Sequence, residues 1–97
     1  MDSEEYFAKR RGIVRNLQGC WEREKSGISV MYLLVSLIGP RDDIGEVAFA
    51  LIGCMHDAFD MSLWDAKRLS RWHVVGGDLS DAEIQERIGS LVPRELQ

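Results

Sequence analysis

The 97-residue chain holds only two cysteines, Cys20 and Cys54, far apart and outside any Cys-x-x-Cys pair. Thiols this sparse cannot staple a small secreted fold, so both are expected to be reduced, buried, small apolar side chains. Proline is equally scarce, with two residues, and neither low-complexity tracts nor repeats occur. Long apolar runs are missing. The most apolar stretch, residues 28–38, falls short of the about 20 residues that a membrane-crossing helix needs. The start, Met1-Asp2-Ser3-Glu4-Glu5, is acidic, whereas a secretory leader opens on basic residues followed by an apolar run. A cytoplasmic protein without membrane contact is therefore expected. A basic excess is lacking too: the formal charge is -4. That balance disfavours a general nucleic-acid binder, which replaces counterions with net positive surface.

Signatures of catalysis are also missing. Gly76-Gly77 lacks the flanking glycine spacing and the Lys-Ser/Thr of a phosphate loop, and no Gly-x-Ser-x-Gly elbow occurs. Neither histidine stands in a triad signature. Cys54 and His56 are two positions apart, which on a helix turns them away from each other. His56 and Asp60, with Asp57 adjacent, have the spacing of paired metal ligands, but no second motif supplies further ligands. An ordinary contact between His56 and Asp60, one helical turn apart, is the simpler expectation. His73 follows Trp72 near an expected helix end, where capping suits it. No enzymatic activity, cofactor or metal is expected.

What is present is a large apolar fraction, 45%, laid out at helical spacing. Punctuation at Ser26-Gly27, Gly39-Pro40, Asp60-Met61-Ser62, Gly76-Gly77 and Pro93 divides the chain into five segments, each readable as a helix. Tyr6, Phe7, Ile13, Val14, Leu17, Cys20 and Trp21 share one face of the first segment, residues 3–25, which Asp2 or Ser3 can cap. Arg10 lies in the middle of that stripe, its stem suited to cover apolar surface while the guanidinium reaches water or a carboxylate. Gly12 and Gly19 sit on the other side, marking either a close backbone approach or a weaker helix. Residues 28–38 are apolar nearly all round. Their β-branched content favours a strand, but Met31, Leu33, Leu34, Leu37 and the Gly39-Pro40 stop favour a buried central helix, and no other strand could pair with them.

In the third segment Asp43 and Glu46 have capping-box spacing, and Ile44, Val47, Ala48, Leu51, Ile52, Met55, Ala58 and Phe59 form one broad face. A second capping pair, Ser62 and Asp65, opens a helix expected to reach about Trp72, with a loop over residues 74–78. The third pair, Ser80 and Glu83, is reinforced by Leu79 and Ile84 at the hydrophobic-staple positions. All five segments point to one class, an all-α, compact single-domain bundle of four to five helices over residues 1–97.

The charges are segregated. Between residues 41 and 66 one basic residue faces six acidic ones, with basic clusters before and after. On the third helix Glu46, Ala50, Gly53, Asp57 and Asp60 point away from the apolar face, with Phe49 and His56 at its edge. Asp42, Asp43, Glu46, Phe49, Asp57, Asp60 and Asp65 are thus the candidate partner-binding residues: an aromatic anchor among carboxylates, over a small-residue groove, suited to a basic protein. The alternative is a solvated helix face with Phe49 packed under the first or fifth helix. A second alternative uses Lys9, Arg10, Arg11, Arg15, Lys67, Arg68 and Arg71 as a nucleic-acid stripe, although neighbouring acids favour internal pairing and no helix-turn-helix is recognisable.

In its length, helical content and the acidic run Asp42-Asp43…Glu46 through Asp57…Asp60…Asp65, the chain resembles bacterial immunity proteins, which neutralise nuclease toxins of contact-dependent-inhibition and related polymorphic systems. The resemblance implies a cognate toxin with a basic surface as partner, bound over its active site or beside it. Two other functions compete: a regulatory or adaptor module acting as a homodimer through residues 28–38 or Trp64 and Trp72, and a small nucleic-acid-binding regulator. The chain could be a monomer or a homodimer under these readings.

Overall fold

The computed structural model describes residues 3–39 and 44–93, with backbone alone for residues 3–7 and 44. The described chain forms α1 (Ser3–Glu24), α2 (Gly27–Ile38), α3 (Ile44–Phe59), α4 (Leu63–Leu69), a 3-10 turn (His73–Val75) and α5 (Asp81–Leu91). The described residues form an all-α bundle of five helices. Its Cα radius of gyration, 12.6 Å, is that of one packed domain of this length. Expected features that fall on Asp2, Asp42 and Asp43, including the Asp43 cap, lie outside the described residues, as do the side chains of Tyr6, Phe7 and Ile44.

The choice of helix for α2 follows from its caps as much as from its composition. The Ser26 side chain accepts the Ser29 amide at 3.3 Å, and Gly39, at φ 80°, returns its own amide to the Val35 carbonyl. A glycine in that left-handed region ends a helix without a side-chain clash. Helix α2 packs against α1, α3 and α5 through Val30, Met31, Leu34 and Ile38, and Tyr32 emerges at the surface. At its first turn α2 meets α5 closely. A Cβ on Gly27 would stand 2.7 Å from the Ile88 Cβ.

Helix α5 carries the complete capping box: the Ser80 hydroxyl accepts the Glu83 amide, and the Glu83 carboxylate accepts the Ser80 amide. Leu79 and Ile84 are both buried beside it. Helix α4 starts on the Ser62 cap but stops at Leu69, short of the expected Trp72. Two backbone bonds draw the chain out of the helix, His73 N–H to the Leu79 carbonyl at 2.9 Å and Leu79 N–H to the Arg71 carbonyl at 2.8 Å. They swing the Trp72 ring into the core, where it is fully buried. Burying an indole outweighs one further turn of a short helix. Gly76, at φ 91°, closes this turn.

One core joins all five helices, built on Leu17, Met31, Leu34, Leu51, Met55, Phe59, Leu69, Trp72, Ile84 and Ile88. Both cysteines are buried in it as free thiols. A Cβ on Gly12 would meet nothing beyond its own helix within 4 Å, so it marks a weaker helix and no close approach. Among the described residues no helix is long and apolar enough to cross a membrane.

Candidate functional site

The outward face of α3 is divided. At its centre Gly53 has no side chain, and the Arg10 guanidinium from α1 lies over it, 2.6 Å from where a Cβ would stand. Arg10 Nε pairs with the Asp57 carboxylate at 2.8 Å. The small-residue groove expected along this face is therefore filled in its middle by an intramolecular cation, and Asp57 is committed to the packing of α1 on α3. The expectation that Arg10 reaches a carboxylate holds. On either side of this pair, carboxylates stand toward the two ends of the helix, Glu46 and Asp60, both exposed. With 16 residues in α3, these ends lie about 20 Å apart.

Phe49 does not pack under a neighbouring helix. It is 76% exposed, and on the first turn of α4 Leu63 and Trp64 are exposed at 58% and 65%. Asp65 follows them, half-buried, its amide held by the Ser62 hydroxyl at 3.0 Å. Phe49 and Leu63 border a groove of about 360 Å³ between α1, α3 and α4, with Ile13, Ile38 and Ile52 among its walls. Lys9 and Lys67 also line it, and among the described residues no carboxylate does. The Lys67 ammonium lies over the Trp64 ring, 5.8 Å from its centroid. Burial pushes the Cys54 thiol up, Arg10 pulls it back and Asp57 raises it, so its sulfur is held as the un-ionised, poorly nucleophilic form.

The basic residues do not form one stripe. Arg10, Arg11 and Arg15 border a second depression with Asp57. Arg71 is bound bidentately by Asp78, at 2.8 and 3.2 Å. The bond keeps the Asp78 carboxyl below the usual carboxylate range.

Both histidines differ from expectation. Asp60 sits at φ 55°, outside α3, so it cannot meet His56 across a helical turn. His56 Nδ1–H donates instead to the Met61 carbonyl at 2.6 Å and ties the α3–α4 corner. His73 Nε2 lies 2.8 Å from Asp81 on α5. Asp81 also accepts the Trp72 indole N–H and the Tyr32 hydroxyl, each at 2.7 Å. This hub links α2, the 3-10 turn and α5, and nothing in the sequence spacing marks it. The Trp72 donor, then Tyr32, hold the Asp81 carboxyl below its ordinary range, and Asp81 in turn holds the Tyr32 phenol above its own. Among the described residues no three His, Cys, Asp or Glu side chains converge as a metal site would require.

Of the seven candidate partner-binding residues, Glu46, Phe49 and Asp60 stand open to solvent, Asp65 is half-buried and Asp57 is paired. Trp72, the other aromatic expected at a dimer surface, is fully buried. No protein-family model, curated protein or solved structure matches the chain.

Proposed function

We propose that the chain is a non-catalytic binding protein of the immunity type, acting in the cytoplasm by covering a cognate toxin of nuclease chemistry that presents a basic surface. The observation that carries this reading is Phe49, a large aromatic 76% exposed on α3 between the carboxylates of Glu46 and Asp60. Exposed aromatics that add nothing to a protein's own core are the usual anchors of an interface, and a surrounding rim of charge sets encounter rate and partner choice. Leu63 and Trp64 extend the anchor onto α4.

The test is capture from a lysate of the native host, comparing the wild type with the Glu46→Lys/Asp60→Lys variant and with Phe49→Ser. The reading requires a basic partner whose expression alone harms cells and is tolerated beside this chain. Association should slow as salt rises and slow again on charge reversal, while Phe49→Ser should speed dissociation. A harmless partner, or rates indifferent to these substitutions, would refute it.

The same exposed patch favours a second reading, a homodimeric adaptor in which Phe49, Leu63 and Trp64 meet their counterparts on another copy. Sedimentation at micromolar concentration separates the two. A strict monomer removes the dimer, and a dimer lost in Trp64→Ser supports it.

A further inference from the structure

We propose that the groove between α1, α3 and α4 is a binding site for a single-chain aliphatic carboxylate, a ligand of the fatty-acid class. At about 360 Å³ the groove is at the small end of the range for sites that hold small molecules. Its walls include Ile13, Ile38, Phe49, Ala50, Ile52 and Leu63, and among the described residues no neutral polar side chain beyond the Cys54 thiol lines it. A ligand lying on these walls would leave any polar atom in its body without a partner, so the body must be plain hydrocarbon.

The charges specify the other end. Three cations line the groove and, among the described residues, no carboxylate does. Arg10 is paired with Asp57, and Lys9 and Lys67 occupy exposed helix positions. The Lys9 ammonium, and that of Lys67 on leaving the Trp64 ring, can close on one anionic head while their long methylene stems extend the apolar walls. The groove shares Phe49 and Leu63 with the proposed toxin contact, but its cations suit an anion where the acidic ends of α3 suit a basic protein, and the ligand needs no protein partner to bind.

The test is calorimetric titration of the full chain with sodium laurate below its micelle concentration, beside decanoate, octanoate and uncharged dodecanol. The site predicts one laurate per chain and an affinity that rises with chain length, by up to about fourfold for each methylene buried. Replacing both lysines, Lys9→Glu with Lys67→Glu, should weaken laurate about tenfold more than it weakens dodecanol, with the circular dichroism of the wild type retained. Leu63→Glu, at an exposed position, should weaken every member of the series. No saturable binding, several laurates per chain as a detergent would give, or equal laurate affinity in the double variant would overturn the proposal. Binding to phosphatidylglycerol vesicles without binding of free laurate would overturn it in favour of a membrane-surface contact. Because the titration involves no protein partner, its failure would leave the proposed toxin contact standing, and the converse also holds.

Discussion

Arg10 of α1 lies across Gly53 of α3 and closes on Asp57 one turn further along, at 2.8 Å. Its side chain retains 27% exposure and that of Asp57 40%, so water screens the pair. Asp57→Asn should therefore cost less than about 1 kcal/mol. Arg10→Ala should cost more, because it also strips the methylene stem from the seam between the helices and leaves Asp57 without its cation. Urea unfolding of the two variants tests the order, and equal losses would show that the charge alone matters.

A pH dependence follows from Asp81. Its folded-state carboxyl titrates below the ordinary value of about 3.9, chiefly because the Trp72 indole and then the Tyr32 hydroxyl donate to it. A depressed value means that the contribution is complete above the unfolded value and is lost as the pH falls through the folded one. The melting temperatures of wild type and Asp81→Asn should differ at neutral pH and converge in acid. Tyr32 carries the opposite sign. Its phenol is raised by its bond to Asp81 and by burial, so its contribution holds below about pH 10 and fades as the pH climbs through the folded value. The ultraviolet titration of Tyr32 should move back toward the ordinary phenol range in Asp81→Asn.

The approach of α2 to α5 depends on Gly27. A methyl there would meet the stiff, buried Cβ of Ile88 at 2.7 Å. Gly27→Ala is expected to lose about 1–3 kcal/mol by overpacking, despite the better helix propensity of alanine. In an Ile88→Ala background the contacts with Cγ2 and Cδ1, at 2.9 and 3.2 Å, are gone but the Cβ remains, so the same change should recover only part of the loss, and denaturant midpoints of the four proteins in this cycle measure the coupling.

Phe49 and Leu51 are two residues apart and opposite in role. Phe49 is 76% exposed, whereas Leu51 is fully buried. Phe49→Ser should leave the melting temperature nearly unchanged, within about 0.5 kcal/mol, and Leu51→Ala should cost about 2–5 kcal/mol. A large loss for Phe49→Ser would mean that the aromatic supports the fold, and would remove the main support for the proposed interface.

Local chemistry was readable wherever the determinant lies within one helical turn. The Ser62 and Ser80 caps, the Leu79–Ile84 pair and the buried stripe of α3 each rest on spacings of three to five residues. The site was only partly readable. Glu46, Phe49 and Asp60 could be placed outward from periodicity, but not the cation laid among them, because Arg10 and Asp57 stand 47 positions apart in the chain. Asp81, Tyr32 and Trp72 likewise come from three separate elements, and only folding brings their donors onto one carboxylate.

The sequence by itself determined that this chain is a bundle of short amphipathic helices, because helix periodicity and capping are local and reinforce one another. The tertiary structure decided which polar groups remain available. Packing α1 on α3 spends Asp57 on Arg10, turning Trp72 inward joins it to Asp81, and Phe49 is left in the open. Availability depends on what each group's distant neighbours already satisfy. A charge count along the chain carries no record of those neighbours.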